Sequence, residues 1–416
     1  MGSLLGANRA IIERWFALAH AQRVNAETLY RSALFWKSSP SFASPDRTPS
    51  PPVTRGECAI HFMKVEQKLW RFDNCHGHVP TLKILAPPYL ELEKKIAQVS
   101  LERASRTREG LARLWSADSP SLSNRTLARE LLAGLSLAGV RRLAVTPDLA
   151  LGDIAWTAFP APHTNGYLID SMQVFQHHPG LATALSRGKA QPQSIGAIMS
   201  AGTAHDGDDR LPQLTQIAQE LKTLEQTWPA VPMLKLTDIG RAVSQPSWQE
   251  IFERSAVVHI AAHGVRNELQ PDLSAIVLSD GLGNIRLTPR DLAELEMGHV
   301  QLAVMNVCSS GFVRRGDTIV DVGFRTALLG RGTAAVVDTG WEISDERGAD
   351  FAAAFYRKLR TGQTIERAFF YAVKEMRVAN PDPDSWGAYS LSVRDLGAAA
   401  RPFAPANARR QEPAPR

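Results

Sequence analysis

Cysteine is scarce in this chain, with three residues in 416, at positions 58, 75 and 308. The odd count, the chain length and the lack of a signal sequence argue against a disulfide framework. No CxxC pair occurs, so a structural zinc site has no starting point. Long apolar runs are missing too: nothing approaches the roughly 18–20 residues of a membrane span. The N-terminus "MGSLLGANRAIIERW" lacks the basic start and apolar core of a signal peptide. Its sixth residue is Gly rather than Ser or Thr, which excludes the myristoylation pattern. A soluble cytoplasmic protein without a membrane partner is expected. Charge bias is also weak. The formal net charge is +5, and +3 of it sits in the last sixteen residues, "RPFAPANARRQEPAPR". The remaining body is nearly neutral, with no basic face for nucleic acid. No G-x-S-x-G, P-loop or dinucleotide-binding glycine fingerprint stands in a strand–helix context, and no repeat of TPR or ankyrin length is present. No cofactor is expected.

What is present is enough apolar material, 44% of residues, for a substantial core. Residues 7–37 read as a helix, with Ile11, Trp15, Leu18 and Ala19 at helical spacing. A Ser/Pro-rich linker, "SSPSFASPDRTPSPP", follows. "CAIHFMKV" and "KLWRF" alternate as a strand pair, and "CHGH" reads as a turn around Gly77. Two helices follow, the second with Asn124 as a candidate cap. Beyond them, apolar strands such as "SIGAIMSAG", "AVVHIAAHG", "VQLAVMNVC" and "GTAAVVDTG" alternate with helices, and "LSAIVLSDGLGNIRLT" reads as a hairpin turning at Gly283-Asn284. That alternation implies an α/β fold with a mostly parallel sheet covered on both faces. The expected organisation is a helix and linker over 1–50, a main domain over 51–396 with subdomains 51–190 and 191–396, and a Pro/Ala/Arg tail over 397–416. Both ends are expected to be dispensable for the geometry of the site.

In open parallel sheets, functional groups gather beyond the carboxyl ends of the strands. His263-Gly264 and Cys308 both stand there, 45 residues apart. Cysteine chemistry needs a thiolate, a neighbouring imidazole and donors for a developing oxyanion. Gly264 lets a backbone N–H approach a substrate carbonyl, and Ser309-Ser310-Gly311 turns the chain after the cysteine. The blander readings are an inert buried thiol for Cys308 and a satisfied structural imidazole for His263. Residues alone leave the two readings level. His259, four before His263, lacks a following Glu and lies in a β-rich segment, which points to a packed core histidine and no metal. His177-His178 reads as a solvated loop pair, and "AHDGDDR" as an exposed loop without the later Glu of a calcium site.

The ordered set of motifs resembles the CHAT domain family, caspase-like cysteine peptidases related to separase and caspases. It comprises "VVHIAAHG", "LSAIVLSDG", "IRLTPRDLAEL", "LAVMNVCSSG", "GTAAVVDTGWEISD", "FYRKLRTGQTIERAFFYAVKEM" and "WGAYSL". The likeness runs from about Arg55 to Asp395. It departs from the family's usual "LPW" element, where Ile154-Ala155-Trp156 stands. The resemblance implies a caspase-like fold and a cysteine endopeptidase with Cys308 as nucleophile and His263 as general base or acid. It makes the backbone N–H groups of Gly264 and Cys308 the oxyanion hole, with no metal needed. Strand alternation puts Asn306 on the face of Cys308 as a candidate pocket wall. Asp338, Thr339 and Trp341, after the next strand, are candidates to line the same cleft. Asp338 or Asp280 at the pocket floor would select a basic side chain, Arg266 or Arg325 an acidic one; the balance leans to basic. The resemblance further implies a protein substrate and an activating partner or sensor, in bacterial defence or programmed cell death. A catalytically silent adaptor that uses the same sheet for protein binding is the rival reading.

Overall fold

The computed structural model describes residues 2–38, 53–109, 122–148, 151–152, 154–179, 194–201, 205–206, 209–238, 246–265, 267, 273–279, 284–308, 310 and 323–399. The linker residues 39–52, the tail beyond 399, Gly283, Ser309, residues 311–322 (Gly311 among them), Arg266 and Asp280 lie outside these. Two compact units are present; their described residues are 2–179 and 194–399. Among the described residues no helix is long and apolar enough to cross a membrane.

The first unit begins with helices α1 (Gly2–Ala21) and α2 (Ala26–Ser38), separated by a turn with Arg23 at φ 63°. The segment expected as one helix is thus two. Strands β1 (Glu57–Val65) and β2 (Lys68–Cys75) form an antiparallel hairpin, and β3 (Thr81–Pro88) adds to β2. Helices α3 (Tyr89–Glu109) and α4 (Leu122–Leu131) precede β4 (Arg142–Thr146) and β5 (Gln173–His177), which run parallel beside β1. Because α4 already includes Leu122, Asn124 lies inside it instead of capping it. The period-2 alternation of β1 and β2 feeds two cores. Cys58, Ile60, Phe62 and Leu69 pack with Leu92, Ile96, Leu127 and Leu131 of α3 and α4. Met63, Val65, Trp70 and Phe72 pack with Phe16, Leu29, Tyr30 and Leu34 of α1 and α2. Helices α1 and α2 are therefore integral to this unit's core. Within α1 the stripe Ile12, Phe16, Ala19 faces inward, while Ile11, Trp15 and Leu18 are exposed.

One pairing in this unit was not foreseen, and one expectation fails. Cys58 and Cys75 are joined by a disulfide. They are directly opposed in the β1–β2 register, so the hairpin itself brings the two sulfurs together. Cysteine scarcity carried no information about that pairing, because one cross-strand bond needs no framework. His177 is not solvated: it ends β5, is buried, and its Nδ1 lies 3.5 Å from Thr146 Oγ1.

The second unit carries the parallel sheet. Its strands are β6 (Ser194–Met199), β9 (Met233–Thr237), β10 (Ser255–Ala261), β14 (Leu302–Asn306), β15 (Ala335–Thr339) and β16 (Tyr389–Val393). They lie in the order β16-β15-β14-β10-β6-β9, all parallel but for β16. Every residue of β10, β14 and β15 is buried, as near-continuous apolar runs require. A small antiparallel sheet of β11 (His263–Val265), β12 (Ala275–Ser279) and β13 (Asn284–Leu287) stands beside the rim. A two-residue ladder, β7 (His205–Asp206) with β8 (Asp209–Arg210), occupies the "AHDGDDR" segment.

The helices of this unit are α5 (Ile217–Thr227), α6 (Trp248–Arg254), α7 (Pro289–Leu292), α8 (Phe324–Gly330), α9 (Asp345–Arg360), α10 (Ile365–Ala379), α11 (Pro383–Trp386) and α12 (Leu396–Ala399). Four of their starts are marked by a hydroxyl cap. Ser247, Thr288, Ser344 and Thr364 each accept a backbone N–H three residues on. Helix α9 opens with Asp345 and Glu346 and closes with Arg357, Lys358 and Arg360, which complements its dipole.

Candidate active site

The rim of the second unit's sheet is assembled by the register of two neighbouring strands. Ala261 of β10 lies opposite Asn306 of β14, so two residues further along each chain the strands end side by side. One leads to His263-Gly264, the other to Val307-Cys308. A Cβ built on Gly264 would fall 2.3 Å from the Cys308 carbonyl oxygen and 2.8 Å from Val307 Cγ1. Any residue but glycine would force the two backbones apart. The structure therefore brings Gly264 against Cys308.

It does not join the two side chains. His263, partly exposed, donates from Nε2 to the carbonyl of Pro212 at 2.6 Å. The Cys308 thiol faces the carbonyl of Ile343 at 3.8 Å. Burial pushes the Cys308 thiol above the ordinary cysteine value; hydrogen bonding to the backbone of Ile343 opposes this, and the charge of Glu342 adds to it. At neutral pH the sulfur is a thiol, and the imidazole is bonded through Nε2 to Pro212 and not to the sulfur. The Pro212 segment is itself held. The Asp345 carboxylate, at the start of α9, accepts from Thr215 N–H, from Thr215 Oγ1 at 3.1 Å and from Gln216 N–H at 2.6 Å.

The residues expected to line the substrate cleft have their polar groups occupied inside the protein. Asn306 is buried; its amide nitrogen donates to Glu220 Oε2 at 2.8 Å and its oxygen accepts from Tyr389 Oη at 2.8 Å. Asp338 is fully buried with each carboxylate oxygen on Arg325, at 2.6 and 2.7 Å. That bidentate pair neutralises both partners. Neither offers a free charge to a substrate side chain, so the choice between a basic and an acidic pocket gains nothing from them. Thr339 is also fully buried, with Oγ1 donating to the Val307 carbonyl at 2.6 Å. Trp341 is largely buried, and its Nε1 donates to the carbonyl of Asp384 at 3.0 Å. In each case the tertiary packing takes up a polar group that the linear sequence leaves available.

Below the rim lies a network that sequence reasoning missed in part. His259 is fully buried, as its apolar strand implied; its Nε2 meets Glu220 Oε2 at 2.8 Å and its Nδ1 meets Tyr356 Oη at 2.9 Å. Glu220 thus bridges His259 and Asn306, and Asn306 passes the chain on to Tyr389. Burial and the Glu220 charge raise both phenols well above their ordinary range, so both stay protonated. The signal for Glu220 was present in α5: it interrupts the buried stripe Ile217, Leu224, Thr227 at helical spacing. A carboxylate on an apolar stripe must meet a partner across the interface. A Cβ on Gly348 of α9 would sit 2.8 Å from Asn306 Nδ2, so glycine there admits the network.

Residues 119–395 match the CHAT domain family. Among solved structures, separase in the Saccharomyces cerevisiae separase–securin complex is similar at 10% identity and a TM-score of 0.50. That match covers 82% of this chain and 30% of the separase chain. The Arg-specific cysteine proteinase gingipain R matches at 11% identity and a TM-score of 0.42, over 68% of this chain and 69% of its own. The complex of the pro- and mature domains of Porphyromonas gingivalis RgpB matches at 12% and 0.40, over 68% and 71%. At such identities the likeness to separase is one of fold, the caspase-like α/β arrangement. No curated protein is similar enough to count as a relative.

Proposed function

The chain belongs to the CHAT domain family, and from that premise we propose that it is a cysteine endopeptidase of caspase and separase type, acting on a partner protein through Cys308 and His263. The observation that carries this reading is the contact of Gly264 with the Cys308 backbone at the ends of β10 and β14. It supports a site in which the N–H groups of Gly264 and Cys308 face one oxyanion. The Cys308 sulfur attacks the scissile carbonyl carbon, His263 takes the thiol proton and later delivers it to the leaving amine. Water then hydrolyses the thioester.

The resting arrangement supports regulation. His263 is bonded to Pro212 through Nε2 and makes no hydrogen bond to the thiol, which burial keeps protonated, so the dyad works only after the imidazole and the sulfur are brought together. An activating protein partner does this to the extent that it binds the engaged state better than the resting one. A role in defence or programmed death belongs to the same proposal and rests on the family alone. The same two observations favour the rival, a silent adaptor with no turnover.

An electrophilic peptide probe separates the two readings. A peptidase is labelled at Cys308, and His263→Ala lowers the rate by about 10²–10⁴-fold, the usual size of general acid–base assistance. Labelling independent of His263 in the presence of cell extract would leave the adaptor.

A further inference from the structure

Thr339 is fully buried, yet its hydroxyl reaches the residue beside the nucleophile. The Val307 carbonyl accepts from Thr339 Oγ1 at 2.6 Å and from Ser310 N–H at 3.2 Å. Ser310 Oγ in turn accepts the Thr339 N–H at 3.1 Å and donates to the Met305 carbonyl at 3.5 Å. The turn carrying Cys308 is thereby pinned to the end of β15 from two directions. The described chain has no cis peptide, so the Val307–Cys308 unit is planar and trans. In such a unit the carbonyl and the next N–H point in opposite directions. Strand β14 lies between β15 and β10. A Val307 carbonyl held toward β15 therefore turns the Cys308 N–H toward the β10 side, where His263 and Gly264 emerge. Among the described residues no backbone carbonyl takes up that N–H.

We infer that Thr339 is a positioning residue that presets the oxyanion hole, by fixing the Val307–Cys308 peptide so that the Cys308 N–H faces the reacting carbonyl. This rests on the peptidase reading. It divides the site into two parts: a Cys308 donor already aligned at rest, and a base that is not. It also gives Thr339 a role through the backbone, where the sequence suggested a substrate contact.

Two small reagents that need no specificity pocket test it. With p-nitrophenyl acetate, the Cys308 thiolate attacks the ester carbonyl and the C=O electron pair moves onto oxygen. The adduct then collapses to the S-acetyl enzyme and p-nitrophenolate. With iodoacetamide, the same thiolate displaces iodide from a CH₂ carbon and no oxyanion forms. Both reactions consume one thiolate, so the ratio of acylation to alkylation rates at Cys308, read by mass spectrometry, cancels its population. Thr339→Val keeps the shape and removes the donor; it should lower this ratio by about 10–100-fold, below the loss for deleting a whole oxyanion donor. Thr339→Ser, which restores the hydroxyl, should return the ratio to near the native value. Thermal unfolding checks that each variant is folded. If Thr339→Val does not fold, Ser310→Ala, which loosens the other side of the clamp, should lower the ratio by a smaller factor. An unchanged ratio in the folded variants, or acylation and alkylation falling together, overturns the inference and leaves the peptidase reading in place. A native ratio no higher than that of N-acetylcysteine means no oxyanion hole exists, and overturns both.

Discussion

His259 and His263 stand four positions apart and live in different chemical regimes. His259 sits inside the sheet, fully buried, with both ring nitrogens bonded to side chains that are buried as well. His263 sits on the rim, partly exposed, with one ring nitrogen on a backbone carbonyl. The interior cannot leave a polar group unpaired without a cost of about 1–3 kcal/mol, so its network is closed. On the rim, water can replace a lost partner, and a hydrogen bond there is worth about 0.5–1.5 kcal/mol net. A group that must change partners during a reaction belongs where the exchange is cheap. The interior positions the strands, and the rim holds the groups that move.

Substitutions sharpen that contrast. The largest effect is expected on the rim: Cys308→Ala should remove at least about 10³-fold of probe labelling and turnover while shifting stability by only about 1 kcal/mol. Retained turnover with a physiological substrate would remove the nucleophile assignment. The interior should respond the other way. Glu220→Ala strips a partner from both His259 and Asn306 and should destabilise the second unit by about 3–5 kcal/mol. Denaturant titration measures this, and a change below about 1 kcal/mol would mean that the network is not closed in solution. Asp345→Ala tests the boundary between the regimes. It frees the Pro212 segment, and His263-dependent labelling of Cys308 should rise by about tenfold, the equivalent of roughly 1.4 kcal/mol from the lost charge-assisted bonds. Unchanged or slower labelling would show that this segment does not restrain the imidazole.

The smallest effect lies on the pH axis. Burial raises the Cys308 pKa, so the thiolate is scarcer at neutral pH than for a free cysteine. Iodoacetamide alkylation of the resting protein should be slow at pH 7. It should climb with pH and level off only above the ordinary thiol range. Once an activator lets His263 approach the sulfur, the profile should move to lower pH. A resting profile that levels off at or below the ordinary value would contradict the burial of the thiol.

Much of the second unit was legible in one dimension. Its central strands are continuous apolar runs, helices α6, α7, α9 and α10 begin at Ser or Thr caps, and His263, Gly264 and Cys308 follow directly on strand ends. The pocket residues were not legible. Asn306, Asp338, Thr339 and Trp341 share with Cys308 a neighbourhood near the rim, but the destination of each polar atom depends on Glu220, Arg325, Val307 and Asp384, up to 86 residues away in sequence. Alternation along a strand assigns a face; it does not say what covers that face.

Helix α1 makes the same division in miniature. The sequence by itself determined that residues 11–19 form an amphipathic helix, because apolar side chains recur at i, i+4 and i+7. Two such stripes run side by side, Ile11-Trp15-Leu18 and Ile12-Phe16-Ala19, and their spacing is identical. Only the tertiary structure chose between them, burying Phe16 and Ala19 and leaving Ile11, Trp15 and Leu18 exposed. Cys58 and Cys75 are a second case, opposed only once the hairpin register is set. Local periodicity is a property of neighbours along the chain, so a sequence can declare it. Which periodic face is buried, which thiols meet and which carbonyl a threonine hydroxyl reaches are contacts between distant segments, and they exist only once the chain has closed on itself.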